Sequence, residues 1–218
     1  MKELSTINQR ITALLQKNCE PELSEYKTYY KDLGGKYLRP LILLTVAKNL
    51  NPSNTKNTKD VLHAATAIEL FHQMSLIHDD IIDRSPKRRN KKTAYTRYGE
   101  NKAIVFGDLL FSIATEELSL CQNKNVRKEI SKAISAVCKG QLLQMKLRNR
   151  SCVTEKEYFL IVSLKTAPLF SAAAASGAFI SGNKNVSMAR KFGNNLGIAF
   201  QIIDDIEDIT GDSRTTGK

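Results

Sequence analysis

Apolar side chains recur along this chain with the spacing of helix faces, and no stretch of useful length alternates between apolar and polar residues as a half-buried strand would. Polar segments separate the periodic ones. The pattern predicts helices over residues 41–50, 61–83, 101–120, 126–148, 154–164, 167–180 and 186–209, with polar loops over 51–60 and 84–92. We therefore expect a single all-α domain over residues 1–218, built from seven or more helices.

Three of these predicted helices begin with residues that favour a helix start. Pro40 precedes the first helix, where its fixed φ angle suits the first turn. Asp60 is the predicted N-cap of the helix over 61–83. Thr154 and Glu157 have the spacing of a capping box, S/T-x-x-E.

The charge of the chain narrows the choice of partners. With 218 residues, of which 42% are hydrophobic, the chain can bury a sizeable core. Its net charge of +11 favours anionic partners, which include phosphorylated small molecules, nucleic acid and anionic membranes. The chain has no tryptophan and only 7% aromatic residues, so it is poorly supplied with platforms for stacking bases.

Cysteine spacing and hydropathy bear on location. Cys19, Cys121, Cys138 and Cys152 are scattered without a CxxC pair, as is typical of reduced cysteines rather than of a disulfide framework or a zinc site. The N-terminus has no apolar signal region, and the longest mildly apolar stretch, 168–180, is shorter than the roughly 20 residues of a membrane span. We expect a soluble, cytoplasmic protein without a transmembrane segment.

Two aspartate clusters of the form DDxxD stand 125 residues apart: Asp79, Asp80 and Asp83, then Asp204, Asp205 and Asp208. Residues four apart share a helix face, so each cluster would present a pair of carboxylates. Two such faces opposite one another would supply the oxygen ligands that Mg²⁺ prefers, and Mg²⁺ is often bound by one or two carboxylates plus substrate phosphates. The clusters therefore predict metal-assisted chemistry on a phosphorylated substrate.

The alternative for one cluster alone is a solvated acidic face or the preference of acids for helix starts. Isoleucines on both sides of each cluster argue against a solvated face, because ionised carboxylates are costly to bury unless a positive group lies against them. The presence of two matching clusters argues further against it.

Several other residues stand at informative positions relative to these clusters. The basic ones could bind phosphate, arginine through two parallel hydrogen bonds and lysine as a point charge: Lys36, Arg39, Arg88, Arg89, Lys165 and Lys218. Each alone would read as a surface charge. His72 lies seven residues before Asp79 and Gln201 three before Asp204, so each would share a helix face with an aspartate cluster. Thr166 lies at a predicted helix break. Phe71, Met74 and Ser75, one to two turns before Asp79, would be core residues or the floor of a cavity.

These blocks together resemble the trans-isoprenyl diphosphate synthase, or polyprenyl synthetase, family. The resemblance rests on seven ordered blocks: GGKYLRP (34–40), ELFHQMSLIHDDIID (69–83), RR (88–89), GDLLF (107–111), KT (165–166), FQIIDDIEDITGD (200–212) and GK (217–218). The resemblance implies an isoprenoid-synthase-like helical bundle with a central cavity, and a homodimer. The helix over 101–120 is apolar all round, which also suits a subunit interface.

The resemblance implies a role for each matching residue. Asp79, Asp83 and Asp204 would ligate a cluster of about three Mg²⁺ ions, or Mn²⁺, with Asp205 and Asp208 as further ligands, directly or through water, and Asp80 in support. Arg88, Lys165 and Lys218 would add charge to the diphosphate of the allylic substrate. Lys36, Arg39, His72 and Arg89 match the pocket for isopentenyl diphosphate. Thr166 and Gln201 match positions near the reacting carbons.

The implied reaction is a head-to-tail condensation. Breaking the allylic C–O bond gives a carbocation and diphosphate, and preorganised cations stabilise the charge that builds on the leaving group. The double bond of isopentenyl diphosphate then attacks the cation, and a proton is lost. Apolar helix faces would keep water from the cation.

The chain departs from the family pattern at three places. Asn90, Lys91 and Lys92 follow the paired arginines in place of the family's GxP, and Tyr37 replaces an arginine. Family members continue beyond the length of this chain, so that the sequence lacks their C-terminal helices and is either a fragment or works with a partner. The family's shortest-chain members often have an aromatic side chain at the positions of Met74 and Ser75. Neither residue is aromatic here, so the resemblance favours a product of C20 or longer.

Three alternatives stay open at this point. A non-catalytic or partial subunit of a heteromeric synthase would tend to lose an aspartate cluster. A class I terpene cyclase usually carries a Ser/Thr and Glu motif where this chain has DDIED. A nucleic-acid-binding protein would use the basic loop over 84–92, but buried acids argue against it, and we expect no nucleic-acid partner.

Overall fold

The computed structural model describes residues 2–19, 21–51 and 58–210. These residues form ten α-helices, a short 3-10 helix (Pro21–Leu23) and one hairpin. The elements are α1 (Lys2–Asn18), α2 (Ser24–Leu33), α3 (Leu38–Leu50), α4 (Thr58–Ile82), β1 (Lys87–Arg88), β2 (Lys91–Lys92), α5 (Ala94–Tyr98), α6 (Glu100–Leu120), α7 (Lys124–Leu147), α8 (Glu155–Lys165), α9 (Ala167–Ser181) and α10 (Val186–Thr210).

The all-α prediction is confirmed. Each of the seven predicted helices is present as α3, α4 or one of α6 to α10, with ends that differ by at most three residues. Helices α1, α2 and α5 were not predicted, although α1 and α2 are amphipathic and bury one face, including Ile7, Ile11 and Tyr30.

Asp60 is not the N-cap of α4, contrary to the prediction, because α4 already begins at Thr58. The Asp60 carboxylate instead accepts the backbone N–H groups of Gln122 (2.7 Å) and Asn123 (3.0 Å). A short polar side chain can satisfy the N–H groups of a distant segment as well as those of its own helix, and sequence spacing does not distinguish the two. The bond ties the start of α4 to the segment between α6 and α7.

The predicted capping box at the start of α8 is confirmed. The Thr154 hydroxyl accepts the N–H of Glu157 at 3.3 Å, and the Glu157 carboxylate accepts the N–H of Thr154 at 2.9 Å. Two N–H groups that the helix itself leaves unpaired are thereby satisfied.

The basic segment after α4 is not the plain loop that we predicted, since it contains the antiparallel hairpin β1–β2. Each strand is two residues long, too short for an alternating pattern to show in the sequence. Arg89 and Asn90 turn the chain with φ of 50° and 62°. Asn tolerates this left-handed region better than most residues, so the turn forms without the family's glycine.

Helix α9 is the centre of the bundle, packed against α3, α7 and α10, while α4 packs against α6. Nearly every residue of α9 is buried, and most are Ala, Ser or Gly, which let neighbouring helices approach closely. Where α10 crosses, a Cβ on Gly197 would lie 2.7 Å from the Cα of Ala167. This close crossing sets the position of the second aspartate cluster.

No single helix among the described residues is both long and apolar enough to cross a membrane. Helices α8 and α9 pass that test only when taken as a pair, with a bend of 44° between them. All four cysteines are free thiols, as the spacing predicted.

Candidate active site

A cavity of about 880 Å³ lies where the start of α3, the middle and end of α4, the hairpin, the α8–α9 junction and the end of α10 come together. Twelve of the predicted site residues line it: Lys36, Arg39, His72, Ser75, Asp79, Arg88, Arg89, Lys165, Thr166, Gln201, Asp204 and Asp208. The fold therefore gathers into one cavity residues from most of the sequence blocks that carry the resemblance.

Asp79 is the member of the first cluster that faces the cavity. The Nζ atom of Lys165, the last residue of α8, lies 3.2 Å from its carboxylate, and both side chains are mostly buried. Burial raises the pKa of Asp79, and the Lys165 ammonium opposes that shift. Lys165 also donates to the Gln144 side chain at 2.8 Å, which fixes the ammonium at the cavity wall.

Asp80 points away from the cavity and is 2% exposed. Its carboxylate accepts two guanidinium N–H groups of Arg88, at 2.9 Å (Nε) and 2.8 Å (Nη2). Burial raises the pKa of Asp80, and the guanidinium opposes the shift. Because Arg88 lines the cavity and Asp80 does not, Asp80 orients an arginine of the cavity wall.

Asp83 does not line the cavity. Its carboxylate pairs with Arg148, at the C-terminal end of α7, and Arg148 also donates to the backbone oxygen of Ile82 at 3.0 Å. Asp79 and Asp83 thus share the predicted helix face, but each carboxylate is held by a cation from another helix.

The second cluster divides in the same way. Asp204 and Asp208 line the cavity together with Glu207, which the sequence analysis missed. Asp205 lies outside the cavity lining and accepts hydrogen bonds from the Tyr158 hydroxyl (2.6 Å) and the Gln201 amide (2.8 Å). Burial and the Asp205 carboxylate raise the pKa of Tyr158 to about 12, so this hydroxyl stays protonated and donating at neutral pH.

Thr166 and Gln201 connect the α8–α9 junction to α10. The Thr166 hydroxyl donates to the Gln201 side-chain oxygen at 2.6 Å, and the Gln201 amide donates onward to Asp205. The predicted neighbours of the reacting carbons therefore form one hydrogen-bonded line that also holds Asp205.

Two further arginines, Arg39 and Arg89, add positive charge to the cavity wall. Arg39 is 8% exposed, and its guanidinium lies 4.4 Å from the centroid of the Phe170 ring. Burial lowers the pKa of Arg39 to about 10, which leaves it charged at neutral pH. Arg89 donates to the backbone oxygens of Leu33 and Gly34.

His72 lies among these arginines. Burial lowers the pKa of His72 well below its usual range, and the neighbouring arginines lower it further. At neutral pH the imidazole is therefore uncharged and offers one donor and one acceptor.

Of the three predicted floor residues, only Ser75 lines the cavity. Met74 and Phe71 are 8% and 3% exposed and belong to the core behind the wall, where the Phe71 ring packs edge-on against Phe111 at 5.5 Å. The predicted ligand Lys218 lies outside the described residues.

Two more lining residues were missed by the sequence analysis, Glu69 and Gln73. They share a face of α4 with His72 and Leu76, at the helical spacing of three and four residues. A glutamate within an otherwise apolar helix segment was the signal that could have found them.

A comparison with known proteins identifies the family. The model of the polyprenyl synthetase family matches residues 20–218. The chain belongs to this family. Among curated polyprenyl synthetases, the geranylgeranyl diphosphate synthase of Methanosarcina mazei is 38% identical, over 98% of this chain and 67% of its own. The geranylfarnesyl diphosphate synthase of Natronomonas pharaonis is 35% identical, over 97% and 68%.

Solved polyprenyl synthetase structures have the same fold. A polyprenyl synthase from Caulobacter crescentus, complexed with calcium and isoprenyl diphosphate, superposes with a TM-score of 0.91 at 30% identity, over 100% of this chain and 65% of its own. A geranylgeranyl pyrophosphate synthetase from Pyrococcus horikoshii gives 0.87 at 34%, over 97% and 65%. The chain thus spans about two thirds of the length of these relatives.

The carboxylates of this family member fit a hard divalent cation that the substrate helps to bind. Within the described part of the chain, no three His, Cys, Asp or Glu side chains are close enough to hold a metal alone. Asp79, Asp204 and Asp208 nevertheless face one cavity with only oxygen donors, which suits Mg²⁺ bound by a few carboxylates and by substrate phosphates.

Proposed function

We propose that this chain is a prenyltransferase that condenses an allylic prenyl diphosphate with isopentenyl diphosphate to give a longer polyprenyl diphosphate. The observation that carries the proposal is that aspartates and arginines from distant elements line one cavity. Asp79, Asp204 and Asp208 supply carboxylates, while Arg39 and Arg89 supply guanidinium groups. Such a cavity suits two diphosphates, one bound through metals and one bound directly by cations.

Asp79, Asp204 and Asp208 would hold Mg²⁺, which when bound offsets the negative charge that develops on the leaving diphosphate. Asp83 and Asp205, also predicted ligands, would first have to leave Arg148 and Tyr158. Two cations of the protein would also bind the leaving diphosphate. Lys165 and Arg88 are already fixed at the wall by Asp79 and Asp80, so little reorganisation is needed when charge builds.

Apolar side chains of the cavity wall would keep water from the cation formed on the allylic carbon. Leu76, Val137, Leu169 and Phe200 contribute apolar surface to the lining, which limits the access of water to a carbocation. Thr166 and Gln201 add polar side chains to the same lining. The proton released on condensation would leave with the diphosphate. His72, an imidazole in the cavity wall, is a poor acceptor for it, because burial and the neighbouring arginines disfavour a positive charge on its ring.

We propose a product of C20 or longer. The curated relatives at 34–38% identity include synthases named for geranylgeranyl, geranylfarnesyl, nonaprenyl and decaprenyl products. Ser75, which lines the cavity near Asp79, is small and leaves room for a growing chain. Phe71 and Met74 lie behind this wall and would limit the product only after a change of rotamer.

We also propose a cytoplasmic homodimer. Helix α6 exposes Val105 (66%), Phe111 (43%) and Ile104 (39%), apolar side chains that a subunit contact would cover. Light scattering on the purified chain should give the mass of a dimer, and Val105→Glu should shift it toward a monomer. A wild-type monomer at micromolar concentration would contradict this part of the proposal.

The experiment for the main proposal is an elongation assay with the 218-residue chain, isopentenyl diphosphate, Mg²⁺ and each allylic primer in turn, with products resolved by length. Asp79→Ala and Asp204→Ala should each lower turnover at least about 100-fold, the loss typical of removing one electrostatic stabiliser. Glu116→Ala, an exposed acid on α6, is the matched control and should leave turnover unchanged. Wild-type protein that neither elongates primers nor binds diphosphates with Mg²⁺ would refute the proposal.

A further inference from the structure

Two of the polar side chains in the cavity wall, Glu69 and Gln73, are deeply buried and have no task in the reaction described above. Glu69 and Gln73 are 1% and 2% exposed and lie one turn apart on α4. The Gln73 amide donates to Glu69 Oε1 at 2.7 Å. Among the residues that the structure describes, Glu69 Oε2 and the Gln73 carbonyl oxygen have no hydrogen-bond partner, although both atoms are buried. Buried polar atoms are rarely left unpaired, so this pair calls for an explanation.

The surroundings of Glu69 are cationic. A point above Gly35, where a Cβ would lie, is 3.7 Å from Glu69 Oε1 and 3.7 Å from Arg89 Nη1, so carboxylate and guanidinium flank the same glycine. Arg39 is buried in the same cavity wall, and its Nε atom has no partner within the described part of the chain. The carboxylate of Glu69 raises the pKa of Arg39, and the guanidinium of Arg89 lowers the pKa of Glu69, in each case against the larger effect of burial. No described residue forms an ion pair with Glu69 within 4.0 Å.

We propose that Glu69 is a positioning residue for isopentenyl diphosphate, whose carboxylate holds the guanidinium groups of Arg39 and Arg89 at the cavity wall. This inference rests on the proposed function of the cavity. Both arginines line the cavity and both act on His72, so two positive charges occupy one region of the wall. A negative charge near both offsets the repulsion expected between like charges, and Glu69 does so without a hydrogen bond to either arginine. Gln73 fixes the rotamer of Glu69 through its single hydrogen bond.

A structural role fits Glu69 less well than it fits the other deeply buried glutamate, Glu117. The Glu117 carboxylate accepts two N–H groups of Arg10 (2.7 and 2.8 Å) and contacts His63 at 3.0 Å, so that it ties α1, α4 and α6 together. Within residues 2–19, 21–51 and 58–210, Glu69 forms a hydrogen bond only with Gln73, a neighbour on its own helix. Burial raises the pKa of Glu69, which means that its charge opposes folding.

The test is Glu69→Gln in the full 218-residue chain, with Glu117→Gln as the matched control for loss of a buried carboxylate. We expect Glu69→Gln to raise KM for isopentenyl diphosphate at least ten-fold while kcat and KM for the allylic primer change less than two-fold. The dissociation constant of isopentenyl diphosphate, measured by calorimetry without metal or primer, should rise by the same factor. Glu117→Gln should lower the melting temperature and leave KM unchanged.

The opposite signs overturn the inference. If Glu69 served only to lower the positive potential of the cavity, its neutralisation would tighten the binding of isopentenyl diphosphate, and a purely structural role would lower stability with no change in KM. Should Glu69→Gln fail to fold, Gln73→Met removes the hydrogen bond that orients the carboxylate, and it should weaken binding in the same direction. Wild-type protein without turnover counts against the proposed function, whereas turnover with an unchanged KM in both variants counts only against Glu69.

Discussion

Gly140 on α7 is the position at which one added methyl group should disturb both the fold and the active site. A Cβ at this position would lie 2.5 Å from the backbone N of Lys165 and 2.7 Å from the carbonyl carbon of Leu164, whereas ordinary contacts begin near 3.4 Å. Gly140→Ala therefore requires α7 and the end of α8 to separate by about 1 Å, because the obstacle is backbone that a change of rotamer does not clear.

The cost can be worked out from two opposing effects. Because the obstacle is backbone, overpacking should cost the upper part of the usual range, about 2–3 kcal/mol, and replacing a helical glycine by alanine returns about 0.5–1 kcal/mol, so the net loss of stability is about 1–2.5 kcal/mol. For a chain of this size that loss lowers the melting temperature by about 2–10 °C. Since Lys165 moves with its backbone, we also expect kcat/KM to fall at least about ten-fold, because a 1 Å misplacement can cost up to about 100-fold.

Calorimetry and the elongation assay measure the two effects separately. Cys138→Ala, on the exposed side of the same helix, is the control and should change neither quantity. A melting temperature that is unchanged or raised in Gly140→Ala would refute the packing argument. A lowered melting temperature with full activity would refute the argument that the α7 crossing positions Lys165.

Further predictions concern caps, hydrogen bonds and pH. Thr154→Ala removes the capping box of α8 and should lower the free energy of unfolding by about 1 kcal/mol in urea titrations. Tyr158→Phe removes a hydrogen bond that keeps Asp205 out of the cavity, so Asp205 becomes freer to bind Mg²⁺, and the Mg²⁺ concentration for half-maximal activity in steady-state kinetics should fall, with little loss of stability in calorimetry. The pKa of His72 is lower in the folded than in the unfolded chain, so below the unfolded pKa the unfolded state binds the extra proton and stability falls with falling pH. His72→Gln should remove this loss, up to about 1 kcal/mol between pH 7.5 and pH 5.5.

Seven helices, α3, α4 and α6 to α10, could be predicted from apolar spacing because tertiary packing followed the local preference there. Helices α1, α2 and α5 were missed since two of them lie in polar sequence and the third has only five residues. The hairpin between Lys87 and Lys92 was missed for the same physical reason, because two-residue strands carry no periodic signal. The N-cap at Asp60 failed because its partners, Gln122 and Asn123, are distant in sequence.

The sequence by itself determined the fold class and, through its ordered blocks, the family. It also predicted most of the charged residues of the cavity, because aspartates and arginines embedded in apolar helices carry a desolvation cost that only paired or ligand-binding groups can offset. Only the tertiary structure decided the task of each residue. Asp80 and Asp205 lie on helix faces adjacent to those of Asp79 and Asp204, and the roughly 100° turn between successive residues directs them to Arg88 and Tyr158 instead of the cavity. Glu69 became visible as a candidate for the same reason, since its relation to Arg39 and Arg89 depends on contacts between elements that are far apart in the chain.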